Sequence, residues 1–155
     1  MSIPLLTASS VIVLFSYRNI ISPLLQTISS TKDLILNLKT TNTNIGEKLR
    51  EMAFISKIEI ISLFLLELET YDQHTINFIK TFEILIKEIT STLETMKNML
   101  HKIETKVLYH NSLYFSNWRT LDCEKELLTL IKYNIILNEQ FKTLIDILSI
   151  GKNIK

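Results

Sequence analysis

The 155-residue chain is predicted to be all-α, an antiparallel up-and-down bundle of about four long helices, on three observations. Glycine and proline number two each, so few positions suit a chain reversal, and few reversals in this length mean long elements. Apolar side chains make up 46% of the residues, enough to core a single domain spanning 1–155. They recur at alternating spacings of three and four, the period of one helix face.

The first helical region runs from about Pro4 to Lys39. It opens on an uncharged stretch from Ile3 to Tyr17, IPLLTASSVIVLFSY. That run is shorter than the ~20 residues of a spanning helix. It also lacks the preceding positive charge and the small-residue cleavage site of a secretory signal. Two expectations follow: a core helix over 3–22, or a helix whose Leu5, Leu6, Val11, Ile12, Leu14 and Phe15 contact a membrane. Ser22-Pro23 has the form of an N-cap followed by a first-turn proline. The helix is therefore expected to kink or split there and to resume over 23–39, with Leu24, Ile28, Ile35 and Leu38 on one side. The polar run Thr40 to Asn44 is the clearest loop.

A second helix is expected over 45–70. Its middle, IEIISLFLLEL from Ile58 to Leu68, is apolar around most of its circumference, which predicts burial on more than one side, against its own core or a partner. Asp72 is a plausible N-cap for a third, unusually long helix over 74–118. There Ile79, Phe82, Ile86, Ile89, Leu93, Met96, Leu100, Ile103 and Val107 form a heptad seam that His110 and Tyr114 continue. Phe78, Leu85 and Met99 widen the stripe. A seam of this kind predicts shallow, left-handed packing. The fourth helix, 121–150, starts near Thr120 or Asp122 and carries Leu127, Leu130, Asn134, Leu137, Phe141, Leu144 and Leu148. Gly151 suits the position just past its end. Short breaks between long helices make antiparallel neighbours. An apolar first helix with a later long brace resembles, in architecture, the four-helix cell-death domains of the HeLo and mixed-lineage-kinase-like type. That resemblance implies a membrane-perturbing first helix.

The formal net charge of +1 and a pI near 7.8 supply no basic field for nucleic acid. Gly46 and Gly151, the two glycines, cannot build a phosphate loop or a dinucleotide fingerprint. A single cysteine, Cys123, allows neither an internal disulfide nor a thiolate zinc site. With no Asn-x-Ser/Thr acceptor in the sequence, this fits an intracellular, cytoplasmic location, at the membrane periphery if the first helix meets lipid. The Glu-x-x-His step of a di-iron bundle is absent. His101 and Glu104, one turn apart, read as a solvated pair rather than a metal site. Cys123 with His110 as base is the one nucleophilic arrangement on offer. It lacks an oxyanion site and an orienting third residue, and the plainer reading of Cys123 is a small apolar side chain at a helix start. No catalytic residue, metal, cofactor or small-molecule substrate is assigned.

The stretch Tyr109 to Arg119 concentrates the side chains enriched at binding hot spots: Tyr109, Tyr114, Phe115, Trp118 and Arg119. The more ordinary expectation is that those aromatics plug the open end of a bundle. Asn134 sits at a seam position, where a buried Asn sets helix register; if the stripe drifts, it is an edge residue. The expected function is non-enzymatic: a structural, assembly or adaptor protein that contacts a protein partner or a second copy of itself. The alternative is a membrane-associating four-helix domain.

Overall fold

Five α-helices and one 3-10 turn make up the described residues, 8–68 and 79–153 of a computed structural model; there is no strand among them. The helices are α1 (Ala8–Thr41), α2 (Thr43–Glu51), α3 (Phe54–Leu68), α4 (Ile79–Ser112) and α5 (Glu124–Asn153), with the 3-10 turn at Ser116–Trp118. Side chains are described from Asn19 onward, apart from Leu68, Ile79, Leu148, Ile150 and those that follow. Asp72 and Phe78 fall outside the described residues.

α1 is one helix with Pro23 inside it, so the expected split is absent. Proline removes one hydrogen bond to the carbonyl four residues earlier. That carbonyl belongs to Asn19, and both Asn19 and Pro23 are exposed, so water satisfies what the helix loses. The expected loop at Thr40 to Asn44 shrinks to Asn42 alone. The Thr40 and Thr41 hydroxyls donate back to the Asn37 carbonyl at 2.8 and 3.0 Å, which keeps both residues in α1. Asn42 then turns extended (φ −150°, ψ 112°) and its Oδ1 accepts the Ile45 N–H at 3.0 Å, the N-cap geometry that starts α2. The hairpin is tight enough that a Cβ on Gly46 would stand 3.1 Å from the Lys39 Cα.

The helix expected over 45–70 is broken in two. α2 ends at Glu51, Met52 caps it, and Ala53 adopts a left-handed φ of 51°. The break corrects a phase error. In a straight helix, Ile45 and Leu49 would face nearly opposite to Phe54, Ile58, Ile61 and Leu65, since each residue advances 100°. With the left-handed residue between them, both sets are buried in one core.

α4 follows the predicted seam closely. Phe82, Ile86, Ile89, Leu93, Met96, Leu100, Ile103 and Val107 are all buried, and each contributes ~1.5–3 kcal/mol of transfer free energy. The seam ends there: His110 is half-buried, and Tyr114 lies beyond the helix and is exposed. In α5, Leu127, Leu130, Asn134, Leu137 and Leu144 are buried. α5 runs on through Gly151 to Asn153, so Gly151 is helical and does not close the helix.

Cross-helix contacts give the directions. Thr27 Oγ1 donates to Glu94 Oε1 at 2.7 Å and Asn37 Nδ2 to Glu104 Oε2 at 2.9 Å. The same offset at two levels makes α1 and α4 parallel. Lys57 Nζ donates to Asn134 Oδ1 at 3.4 Å, and Phe64 meets Phe141 edge-on with centroids 6.0 Å apart, so α3 and α5 are also parallel. α4 and α5, joined by a short turn, run opposite ways: Lys106 near the end of α4 pairs with Glu126 near the start of α5. α1 packs on α2, α3 and α4, and α4 on α5.

Candidate partner-binding surface at the α4–α5 turn

The connection from α4 to α5 folds into one compact turn. The Leu113 N–H donates to the His110 carbonyl at 3.2 Å as α4 ends. Phe115 then takes a left-handed φ of 59°, a conformation that costs an L-residue ~1–2 kcal/mol. Its carbonyl accepts the Trp118 N–H at 2.9 Å, and the Arg119 N–H donates to the Ser116 carbonyl at 3.2 Å. The Arg119 Nε also donates to the Tyr114 carbonyl at 3.2 Å. Tyr114, Phe115, Ser116, Trp118 and Arg119 are thus tied together by hydrogen bonds within the turn, which gives it a defined shape.

That shape sends the aromatic rings outward. Phe115 and Trp118 stack with centroids 5.5 Å apart and planes 22° from parallel, yet Trp118 is 85% and Tyr114 87% exposed. Tyr109, Phe115 and Arg119 are exposed as well. The plug reading is therefore wrong for these residues: none of the four aromatics enters the core. The structure brings all five candidate residues to one end of the α4–α5 hairpin. Beside them, Lys106, Tyr109, His110, Leu113, Arg119, Thr120, Leu121 and Asp122 line an open depression of about 370 Å³.

Beneath the turn lies an ion pair that helical spacing does not reveal, because its partners are 20 positions apart on different helices. Lys106 Nζ is 2.6 Å from Glu126 Oε1 and 3.3 Å from the Asp122 carbonyl. The hydrogen bond from Lys106 holds the Glu126 carboxyl below its usual range, while the same bond raises Lys106. Glu126 is buried, and its second oxygen has no hydrogen-bond partner. Asp122 Oδ1 accepts the Glu124 N–H at 3.2 Å at the start of α5. Next to them Cys123 is buried, and burial, with the Glu126 charge, pushes its thiol up. A thiol held protonated is the reverse of what nucleophilic attack requires.

Asn134 is buried, and its two polar ends serve the α2–α3 break. Nδ2 donates to the Met52 carbonyl at 3.3 Å, and Oδ1 accepts from Lys57. Met52 is where α2 stops, so its carbonyl has lost its helical donor. Asn134 supplies a replacement and links α5 to the α2–α3 break.

Of the candidate membrane-contacting residues, Leu5 and Leu6 lie outside the described residues. Val11, Ile12, Leu14 and Phe15 belong to α1, but their side chains are outside the described set. No described helix is long and apolar enough to cross a membrane. His101 Nδ1 and Glu104 Oε1 stand 3.8 Å apart on the exposed face of α4, and no group of three or more potential metal ligands occurs among the described residues. No family model matches the chain, and no curated protein or solved structure matches it.

Proposed function

We propose that this protein is a non-enzymatic helical bundle, four helices up and down with α2 and α3 sharing one limb, that works by docking a protein partner at its α4–α5 turn. One observation carries the reading: a stacked Phe115–Trp118 pair is held in water by a turn that accepts a left-handed Phe to present it. Exposing large aromatic surface and bending a bulky residue into that conformation both work against stability. Such features persist where a surface is used, and Trp, Tyr and Arg are the side chains that dominate contact energies.

Trp118 is the single tryptophan, so its fluorescence reports on this surface alone. Binding material from the native source is expected to shift its emission to the blue and to co-purify with the wild-type chain. The variants Phe115→Ser and Trp118→Ser should lose that material while melting like wild type. Equal recovery on wild type and both variants would reject the turn as the docking surface.

The uncharged stretch from Ile3 to Tyr17 supports a second reading, contact of the first helix with a lipid surface. Co-sedimentation with anionic and neutral vesicles tests it. A chain that stays in the supernatant with both excludes it.

A further inference from the structure

The turn between α1 and α2 does not interrupt the apolar register. Thr31, Ile35 and Leu38 of α1 are buried, at spacings of four and three. Asn42, half-buried, comes four positions later, and the buried Ile45 and Leu49 of α2 follow at three and four. One heptad seam thus runs through the turn, the pattern of a single straight helix. A turn that only reverses the chain places no such condition on the residues either side of it. At the α2–α3 break the count does fail, since Leu49 and Phe54 stand five apart.

The backbone is one residue away from that straight helix. The Asn42 N–H donates to the Leu38 carbonyl at 3.0 Å, and the Asn42 carbonyl accepts the Gly46 N–H at 2.9 Å. Both bonds join residues four apart, as in an α-helix. Between α1 and α2 the departure is the extended Asn42, with φ −150° and ψ 112°. Rotation to helical values, near −63° and −42°, would join the two into one rod, 8–51. The N–H groups of Thr43, Asn44 and Ile45 would then donate to the carbonyls of Lys39, Thr40 and Thr41, and Ile45 would no longer need the Asn42 side chain.

We propose that Asn42 is a hinge at which two copies of this chain exchange α1. Straightening carries α1 away from the α2 and α3 on which it packs, so the rod needs a second body to cover its seam. The place that α1 leaves is matched to α1 itself: Glu94 accepts from Thr27 at 2.7 Å and Glu104 from Asn37 at 2.9 Å. A second copy carries the same helix and the same place, and exchange through a short hinge is a low-cost route to a dimer.

The close approach within the turn survives the exchange. A Cβ on Gly46 would stand 3.1 Å from the Lys39 Cα. Residues seven apart share one face of a straight helix. Two rods crossing antiparallel at Asn42 therefore set Lys39 of each copy on Gly46 of the other. The two Asn42 side chains meet at the twofold axis, where a polar seam residue fixes register.

Gel filtration with light scattering tests this on the full chain, refolded from urea at about 1 μM and at about 1 mM. The dilute sample should be monomeric and the concentrated one should contain a dimer. Asn42→Ala removes the cap of α2 and favours helix at the hinge. The dimer holds two hinges, so its dissociation constant should fall at least tenfold. Thr43→Pro should abolish the dimer: proline suits the first turn of α2 and keeps Asn42 extended, but it breaks a continuous rod. A Gly-Gly-Ser insertion after Asn42 lengthens the hinge and should act in the same direction, whether or not the proline variant folds. Asn37→Cys/Glu104→Cys, joined by a short bis-maleimide, separates exchange from side-by-side pairing; Cys123 is buried. In the exchanged dimer the link runs between copies and a covalent dimer survives denaturation. Wild type and Asn42→Ala both monomeric at about 1 mM, a dimer that the proline and the insertion leave unchanged, or a dimer whose link stays within one chain, overturns the proposal.

Discussion

Ala53→Gly should stabilise this protein, and the sign of the change is the informative part. Ala53 is exposed and holds a φ of 51° between α2 and α3. A left-handed backbone costs an L-residue with a Cβ ~1–2 kcal/mol. Glycine escapes that cost but brings ~0.5–1 kcal/mol of extra chain entropy to the unfolded state. The difference leaves a net gain of about 0.5–1 kcal/mol. In a domain of this size that raises the melting temperature by roughly 1–4 °C. The hydrogen bonds around the position are unaffected, since they use its backbone: its N–H donates to Arg50 at 2.9 Å and its carbonyl accepts from Lys57 at 3.2 Å. Were the limb one straight helix, glycine in its middle would instead cost ~1 kcal/mol. Urea midpoints for wild type, Ala53→Gly and Ala53→Val distinguish the two cases. The expected order is Gly above Ala above Val. A glycine variant that unfolds at lower urea than wild type, with an unchanged slope, refutes the break and the phase correction built on it.

Two further outcomes follow from the core and the ion pair. Leu100 is fully buried in the α4 seam, so Leu100→Ala should cost ~2–5 kcal/mol, read as a lower urea midpoint, while Ile84→Ala, on the exposed side of the same helix, should change it by no more than ~0.5 kcal/mol. Lys106→Met removes the cation that lowers the Glu126 carboxyl. A lowered carboxyl stabilises the fold above its unfolded value and loses that contribution as pH falls through the folded one. The variant should therefore melt below wild type at pH 7, and the gap should close in acid, below the ordinary carboxyl value of about 4.5; a gap that persists unchanged at pH 2–3 would mean that the pair does not carry the effect.

The long helices were legible because their signal is periodic. From Phe82 to Val107 every third or fourth residue is apolar, and every one is buried. The same rhythm located α5 and picked out Asn134, although its partners, Met52 and Lys57, lie about 80 positions away and leave no mark in local spacing. The break at Ala53 went unread because neither glycine nor proline stands there. Its trace was a reversal of apolar phase between Leu49 and Phe54, which looks the same as a helix apolar all round. At Pro23 the local signal allowed a kink or a split, and α1 continues through it as one helix, with Asn19 and Pro23 both exposed. The aromatic cluster was legible as a composition, but its orientation was not. Whether those rings turn in or out depends on α4 ending at Ser112 and on the left-handed Phe115, neither of which a spacing pattern reveals.

Because α1 and α4 are parallel, the beginning of α1 and the aromatic turn after α4 stand at opposite poles of a rod. At 1.5 Å per residue they are roughly 50 Å or more apart. One flat surface cannot touch both poles of an upright rod at once. A chain that used the two ends together would span a gap, holding one object at the apolar pole and a different one at the aromatic pole, with its own length as the spacer.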